Sequence, residues 1–274
     1  MNSPGLRSAG RNTLVILLLL VVGAPFIWML LSSFRPTSDL IQADQMFMVR
    51  QLSLHNYLQL REGNYLVFLR NSLFVALFST LVAVPLALLA AYSVYRTRYR
   101  GRIAAYRLML AVYVFPGVLL LIPLYKIFSM LSLINSRFSL VIINVTFAAP
   151  FSVWLMRGFF TSMPEGVEEA AALDGASIPR MLRSIILPLT APGVAVAATF
   201  TFILSWTEYL FASVFIVDDA LKTLPVGLGG LVSGYFIDWG VLSAAAVATA
   251  VPAVLLFGLT GRFFVQSITS GAGR

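Results

Sequence analysis

The chain has 274 residues, of which 59% are hydrophobic and only 11% charged, and its formal net charge is +8. Soluble domains carry about a quarter charged residues, so this composition excludes an ordinary water-soluble protein, including a soluble nucleic-acid-binding protein inferred from the basic charge. Cysteine is absent, which excludes a disulfide framework and cysteine-ligated metal sites, and no other metal site is predicted.

Six apolar segments are long enough to cross a bilayer as helices, which takes about 20 residues each. None shows the strict polar and apolar alternation of a membrane β-strand. The predicted fold class is therefore all-α, a polytopic membrane protein with six transmembrane helices. In chain order the segments are 12–34, 71–95, 108–125 (continuing past Lys126), 138–156, 184–207 (continuing past Glu208) and 239–261, and each contains a proline.

The distribution of basic residues predicts the orientation of the chain. Most Lys and Arg residues lie in the termini and in the connections on the same side as the N-terminus, including the basic run within 95–102. Basic connections face the cytoplasm in multi-pass membrane proteins. We therefore expect both termini to be cytoplasmic, and this topology accounts for the positive charge without nucleic acid as a partner.

Residues 161–188, here called the finger, form a polar stretch between the fourth and fifth segments. Ser162 and Glu165 have the spacing of a capping box, Gly175 is placed to end a helix in a left-handed turn, and Ser177 can cap a second helix. An apolar face suited to docking is predicted on that second helix, from Ile178, Met181, Leu182 and Ile185. These residues leave two interpretations open: a helical finger that docks on another protein, or an amphipathic helix on the lipid surface.

The finger also resembles a known signature, the EAA motif of permease subunits of bacterial ABC importers. The residues that match it, with its spacing, are Glu169, Ala170, Ala171, Gly175, Ile185, Leu187 and Pro188. The similarity extends from about residue 71 to 266, and the stretches 155–160 and 262–265 resemble the carbohydrate-uptake branch, in particular the smaller maltose-type permease subunit. This resemblance implies a type I ABC importer permease fold and translocation of a sugar or similar small polar solute.

The resemblance implies further partners in a bacterial cytoplasmic (inner) membrane. They are a second homologous permease subunit, two ATPase subunits and an extracytoplasmic solute-binding protein that delivers the solute. The finger, with Asp174 included, would be the coupling element that sits in a groove of the ATPase. The implied regions are 1–69, an N-terminal helix and outer loop; 70–266, the permease core with the coupling loop 161–188; and 267–274, a cytoplasmic tail.

The lysines indicate that ATP hydrolysis belongs to another protein. A phosphate-binding P-loop requires a Gly-Lys pair, whereas Lys126 follows Tyr125 and Lys222 follows Leu221. We therefore expect this chain not to be an enzyme and to bind no cofactor itself, with ATP and Mg held by partner subunits.

Glu208 is expected inside the fifth helix, about 14 Å from its Val217 end if the helix is regular. A charge at that depth costs a few kcal/mol against lipid, so it should face a cavity or a partner. Trp206, Thr207, Glu208 and Tyr209 are therefore predicted to line the translocation pathway. They resemble the family's Trp-Asn-Glu pattern, except that Thr207 replaces Asn. The alternative is a structural hydrogen bond between helices.

The glycine-rich stretch 225–230 lacks lysine and is predicted to be a flexible outer loop. By resemblance, Gly227, Gly229 and Gly230 would contact the binding protein. Two other function classes stay open on the residues alone. An ion-coupled secondary transporter could use Glu208 as its ion site, although the paired broken helices or repeats of such folds are not evident. A membrane hydrolase would need a catalytic constellation that the sequence does not suggest.

Overall fold

The computed structural model describes residues 4–42, 52–232 and 237–271. Within these ranges the regular structure is helical and contains no strand, which confirms the all-α fold class. The helices are α1 (Pro4–Ser32), α2 (Thr37–Ile41), α3 (His55–Glu62), α4 (Tyr65–Arg96), α5 (Arg102–Val114), α6 (Gly117–Met130), α7 (Arg137–Ser162), α8 (Val167–Leu173), α9 (Ile178–Met181), α10 (Leu187–Trp206), α11 (Leu210–Phe215), α12 (Leu224–Val232) and α13 (Trp239–Gly271).

Five continuous helical stretches in the described ranges are long and apolar enough to cross a membrane. They are Arg11–Ser32, Tyr65–Arg96, Arg137–Ser162, Ile178–Trp206 and Trp239–Gly261. Each contains a proline within its apolar part, as expected, at Pro25, Pro85, Pro150, Pro192 and Pro252. These stretches correspond to the first, second, fourth, fifth and sixth predicted segments.

The third predicted segment is a broken pair of helices rather than one continuous helix. α5 and α6 meet at an angle of 98°, and counting the pair as one span gives six. Phe115 and Pro116, between them, are both extended, with ψ angles of 129° and 119°. A residue before proline is driven out of the helical region, and proline has no N–H to continue the ladder. Pro116 therefore ends one helix and starts the next.

Contacts divide the chain into two compact units, the first drawn from residues 1–66 and 227–251. Within it, the Asn56 amide, only 4% exposed, donates hydrogen bonds of 2.9 Å to the carbonyls of Ser33 and Arg35. The Thr37 hydroxyl donates to Asp238, whose carboxylate also accepts from the N–H of Val241. Polar groups thus connect the ends of α1, α3 and α13 in this unit.

The second unit is drawn from residues 67–226 and 252–274 and contains two apolar clusters. The first cluster joins the ends of α4 and α7 to the finger, through Ala87, Ala91, Val153, Met156, Phe160, Met163, Ala171, Met181, Ile186 and Ala197. The second lies toward the opposite ends of α4 and α7 and is formed by Val75, Phe128, Leu140, Val141, Ile143, Phe211, Ala212, Phe215 and Ile216. Between them α7 packs on α10, where the buried hydroxyls of Ser152 and Thr201 lie 3.2 Å apart.

Residues 216–224, the connection between α11 and α12, are held by two asparagines of the second unit. The fully buried Asn71 amide of α4 donates to the carbonyls of Ala220 and Lys222 at 2.9 and 3.0 Å and accepts from Arg137 at 3.2 Å. The Asn135 side chain accepts from the N–H groups of Val217 and Asp218 at 3.0 and 2.9 Å. Because the loop's backbone is bonded at both ends, α12 starts from a fixed position.

Candidate functional site

The finger contains the two short helices predicted from sequence, α8 and α9. Gly175, between them, has a φ of 76°, which confirms the left-handed turn. The capping box is wrong: Ser162 is the last residue of α7, and its hydroxyl donates to the Phe159 carbonyl at 3.1 Å. The extended Met163 precedes Pro164 and ends α7. Gly166 begins α8 instead, with a φ of 81°.

The second helix of the finger does not stop at Pro188. α9 continues through a π-helical turn, Leu182–Ile186, directly into α10, so that Ile178–Trp206 forms one helical stack. In the turn the N–H of Leu187 donates to the carbonyl of Leu182, five residues back, which is the π-helical pattern. Ser177 begins α9 without a capping hydrogen bond from its side chain. The second helix of the finger and the fifth span therefore form one continuous helical element.

The eight predicted coupling residues occupy two different environments. Ala171 is buried and Ile185 half-buried, and both pack in the first apolar cluster. The others are exposed at the surface: Glu169, Ala170, Asp174, Gly175, Leu187 and Pro188.

The apolar face predicted for docking points mostly inward. Met181 is buried in the first cluster, and Leu182 packs against it. The two most exposed large apolar side chains of the finger are Ile178, 65% exposed, and Leu173, 89% exposed, on either side of the Gly175 turn. Sequence reasoning missed Leu173, which directly precedes Asp174 and the Gly175 turn. The tip of the finger thus presents two large apolar side chains between exposed carboxylates.

Arg96, at the end of α4, holds the finger by two parallel contacts to Glu168 of α8. Its Nε and Nη2 lie 2.5 Å from the two carboxylate oxygens, and Nη2 also donates to the Pro164 carbonyl at 3.2 Å. These hydrogen bonds lower the pKa of Glu168 below its ordinary value, against a smaller opposing effect of burial. Sequence reasoning used Arg96 only as a topology signal and missed this contact.

Glu208 lies between two helices and not inside a regular one, which corrects the sequence-based expectation. α10 ends at Trp206, and the Glu208 carboxylate accepts from the N–H groups of Phe211 and Ala212 at 2.7 and 3.0 Å. A carboxylate favours the positive start of a helix, here α11, because it satisfies N–H groups that have no partner within the helix. The helix of the fifth span is therefore interrupted at Glu208, whose carboxylate accepts hydrogen bonds from backbone N–H groups.

The four predicted pathway residues are not equally accessible. Trp206 is 2% exposed, and its ring stacks on Phe202 with centroids 5.6 Å apart. Thr207 and Tyr209 are exposed, and the Thr207 hydroxyl donates to the Ile203 carbonyl at 2.9 Å. Glu208 lines a cavity of about 450 Å³, together with Tyr113, Val114, Phe115, Pro116, Gly117, Asn144, Phe147, Leu204, Leu210 and Phe211.

The glycine-rich stretch 225–230 lies in a helix, α12, and not in the predicted flexible loop. Glycine costs up to about 1 kcal/mol in a helix interior, but Pro225 in the first turn favours a helix start. Leu224 is fully buried, and its N–H donates to the Ser72 hydroxyl at 2.7 Å. Gly227 and Gly229 are half-buried in α12, and Gly230 is exposed.

Comparison with known proteins gives a consistent family. Residues 83–270 match the family described as "Binding-protein-dependent transport system inner membrane component". The chain is 34% identical over 258 residues to the inner membrane ABC transporter permease protein YcjP of Escherichia coli (strain K12), covering 93% of this chain and 92% of that protein. It is 32% identical over 276 residues to the trehalose/maltose transport system permease protein MalG of Thermococcus litoralis, covering 96% and 98%.

A solved structure shares the fold: a bacterial ABC transporter involved in the import of the acidic polysaccharide alginate. The TM-score is 0.81 at 21% sequence identity, over 96% of this chain and 98% of that one. The family is one of transport permeases, not of enzymes, and the apolar helices agree with a multi-pass membrane protein. The alternative of an ion-coupled secondary transporter is not supported. The chain belongs to the family of binding-protein-dependent transport system inner membrane components, as an ABC importer permease of the maltose-type, carbohydrate-uptake branch.

Proposed function

We propose that the finger couples this permease to ATP hydrolysis on separate ATPase subunits. The observation that carries the proposal is the unbroken stack Ile178–Trp206, which joins the finger to the fifth span without a flexible connection. A rigid helix transmits a displacement of one end to the other, whereas a loop would absorb it. Movement of the finger would therefore be delivered to the break at Glu208 and to the cavity beside it.

The tip of the finger has the chemistry of a docking surface. Leu173 and Ile178 are large apolar side chains with little cover from their own chain, and exposed Glu169 and Asp174 flank them. Apolar anchors at the centre of an interface with polar groups around them are typical of protein contacts. The partner would be an ATPase subunit that holds ATP and Mg, with two such subunits and a second, homologous permease in the assembly.

The Arg96–Glu168 pair would carry the same movement to a second span. Since Arg96 ends α4 and Glu168 lies in α8, closing of the ATPase subunits on ATP would displace α4 and α10 together. Alternating access then follows, because the two spans reorient around the cavity that Glu208 lines. In this scheme Glu208, Thr207 and Tyr209 face the pathway. Trp206 is buried and stabilises the end of α10, where the helix is interrupted.

The cargo would be a sugar or similar small polar solute, delivered by an extracytoplasmic binding protein. Relatives are named for transport of trehalose and maltose, sulfoquinovosyl glycerol and diacetylchitobiose, all of which are carbohydrates or contain one. The binding protein would contact α12 at Gly227, Gly229 and Gly230. Both termini would be cytoplasmic in a bacterial inner membrane, with 70–266 as the permease core between the N-terminal region 1–69 and the tail 267–274.

The test replaces Gly175 by Asn in the complete assembly, reconstituted with its ATPase and binding protein. Asparagine tolerates the left-handed conformation, and a side chain at Gly175 would meet open space within its own chain. The fold should thus persist, while the added bulk disturbs docking. Uptake should fall about tenfold or more, as at the centre of an interface.

Gly101→Asn is the matched control, because Gly101 also has a positive φ, 92°, and open space around it. It should leave uptake near the wild-type rate. Equal uptake by the wild type and Gly175→Asn would contradict the proposal.

A further inference from the structure

We propose that the cavity beside Glu208 is a subsite for a neutral sugar ring, in which Asn144 and Glu208 bind hydroxyl groups. This inference rests on the proposed function, since it names the site at which the translocated solute is held. The cavity volume of about 450 Å³ falls in the range of about 300–1,000 Å³ found for ligand pockets. All its lining residues belong to the second unit.

Asn144 is the first observation that points to a ligand. Asn144 is a polar residue in the apolar helix α7 and is only 2% exposed. Asn144 lines the cavity, and within the described residues its amide makes no hydrogen bond to the protein. The amide atoms are not among the fully enclosed polar atoms without a partner, so the cavity gives access to them. Polar side chains in the interior of a protein are almost always hydrogen-bonded to protein, water or ligand. The amide is therefore available to a polar ligand, to which it offers two donors and an acceptor.

Glu208 supplies an acceptor that is already fixed in place. Backbone N–H groups of Phe211 and Ala212 each bind one oxygen of its carboxylate. Each carboxylate oxygen has a second lone pair, which can accept from a hydroxyl group without disturbing those bonds. The solute thus meets a preoriented carboxylate, and little side-chain entropy is lost on binding.

Aromatic rings complete the cavity with an apolar surface. Phe147 of α7 and Phe211 of α11 have ring centroids 5.5 Å apart at an angle of 32°. Gly117, the first residue of α6, brings its backbone against both rings, since a Cβ there would lie 3.6 Å from each. A sugar ring has hydroxyl groups at its edge and C–H groups on its faces, so it matches polar groups beside aromatic surface.

The charge of the cavity lining favours neutral sugars over anionic ones. Glu208 is the one formally charged residue among the described residues that line the cavity, and none of them is lysine or arginine. An anionic solute would meet a carboxylate without a compensating base, which disfavours it. Lipid is also a poor occupant, because an amide and a carboxylate at membrane depth are costly against hydrocarbon. A neutral, hydroxyl-rich solute fits this lining best.

The first experiment uses the complete transporter in proteoliposomes and radiolabelled neutral and uronic-acid oligosaccharides of one to four units. A sugar counts as cargo where its uptake by the wild type requires both ATP and the binding protein. Asn144→Leu should then lower neutral-sugar uptake about tenfold, as for one lost hydrogen bond, while ATP hydrolysis stimulated by the binding protein persists. The control Ser152→Ala removes a buried polar group of the same helix that bonds Thr201 and does not line the cavity. It should transport normally.

The outcomes separate the two proposals. If Asn144→Leu transports the sugar at the wild-type rate, the subsite is wrong and the coupling function stands. If the wild type takes up only uronic-acid sugars, the neutral subsite is likewise overturned. If the wild type takes up none of the sugars, the proposed cargo fails and the subsite with it. If Asn144→Leu loses ATP hydrolysis as well, a labelling measurement at position 144 tests directly whether the sugar binds there.

That measurement uses the absence of cysteine from this chain. In the Asn144→Cys transporter, a small methanethiosulfonate reagent should modify the single thiol of this subunit, as read from its peptide by mass spectrometry. The transported sugar should slow the modification by about fivefold or more, as a bound ligand at several times its dissociation constant would. Ser152→Cys should stay unmodified. A thiol at position 144 that is unreactive, or that reacts at the same rate with and without sugar, would overturn the subsite.

Discussion

Arg96 and Glu168 are 72 positions apart in the chain, yet the guanidinium of one meets the carboxylate of the other through two contacts of 2.5 Å. Both side chains are largely covered, at 14% and 20% exposure. Paired parallel hydrogen bonds of this kind fix geometry as well as adding energy. The relationship ties the end of the second span to the first helix of the finger, and it gives that helix a defined position.

Glu168→Gln should therefore destabilise the protein by about 1–2 kcal/mol at neutral pH. Because the pKa of Glu168 is lowered in the folded protein, its stabilisation is present above its ordinary value of 4.5 and is lost as pH falls through the lowered pKa. The melting temperature of Glu168→Gln should lie below that of the wild type at pH 7, and the two should converge on strong acidification. Glu165→Gln changes an exposed carboxylate just before α8 and should match the wild type throughout. A difference that does not change with pH would argue against the ion pair.

Asn71→Asp should detach the connection 216–224 from α4 and make its backbone more accessible to solvent. The replacement keeps the shape of the side chain but removes both donors to Ala220 and Lys222, so a carboxylate would face two carbonyl oxygens. Leaving buried polar groups without partners costs about 1–3 kcal/mol. Hydrogen exchange of this segment should rise by at least about tenfold, with exchange in the finger unchanged. The control Thr80→Ala removes a local hydrogen bond within the same helix and should leave residues 216–224 protected from exchange. Unchanged protection of this segment in Asn71→Asp would show that Asn71 does not hold it in place.

Gly193→Ala should separate α7 from α10. A Cβ at Gly193 would come within 2.5 Å of the Phe159 ring, and overpacking of this kind costs about 1–3 kcal/mol. Gly158→Ala is the control, since a Cβ at that neighbouring position on α7 meets nothing within 4 Å. Thermal unfolding in nanodiscs should show a lower melting temperature for Gly193→Ala alone. Equal melting temperatures would show that the Phe159 ring has room to move.

Sequence patterns predicted the spans well where they depended on length and apolar composition alone. The segments around Pro85, Pro150 and Pro252 are continuous helices because neighbouring turns accommodate a proline in an otherwise apolar helix. Pro116 carries the same residue signal but breaks its span, since the chain there turns to pack α6 beside Phe211 and Phe215. Only tertiary contacts distinguish these prolines.

Polar interactions between distant residues could not be predicted for the candidate site. Gly175 was identified correctly, because a left-handed turn is a local requirement. The partners of Arg96 and Asn71 lie 66 to 151 positions away, so no local spacing reveals them. Asn144 carries no pattern of its own, since its significance depends on a cavity to which four other helices contribute. The sequence identified Glu208 as an unusual charge in an apolar segment. Its hydrogen bond from the Phe211 N–H could not be predicted, because it forms only where the helix is interrupted.

The most direct measurement of the central claim uses Leu173→Cys at the tip of the finger, where the native side chain is 89% exposed. The thiol would be the only one in this chain. Its rate of reaction with a maleimide is compared in membranes with and without the co-expressed ATPase subunit. We predict that the isolated permease reacts rapidly and that the ATPase slows the reaction by about tenfold or more, because docking covers the tip. The same rate in both membranes would contradict coupling through the finger.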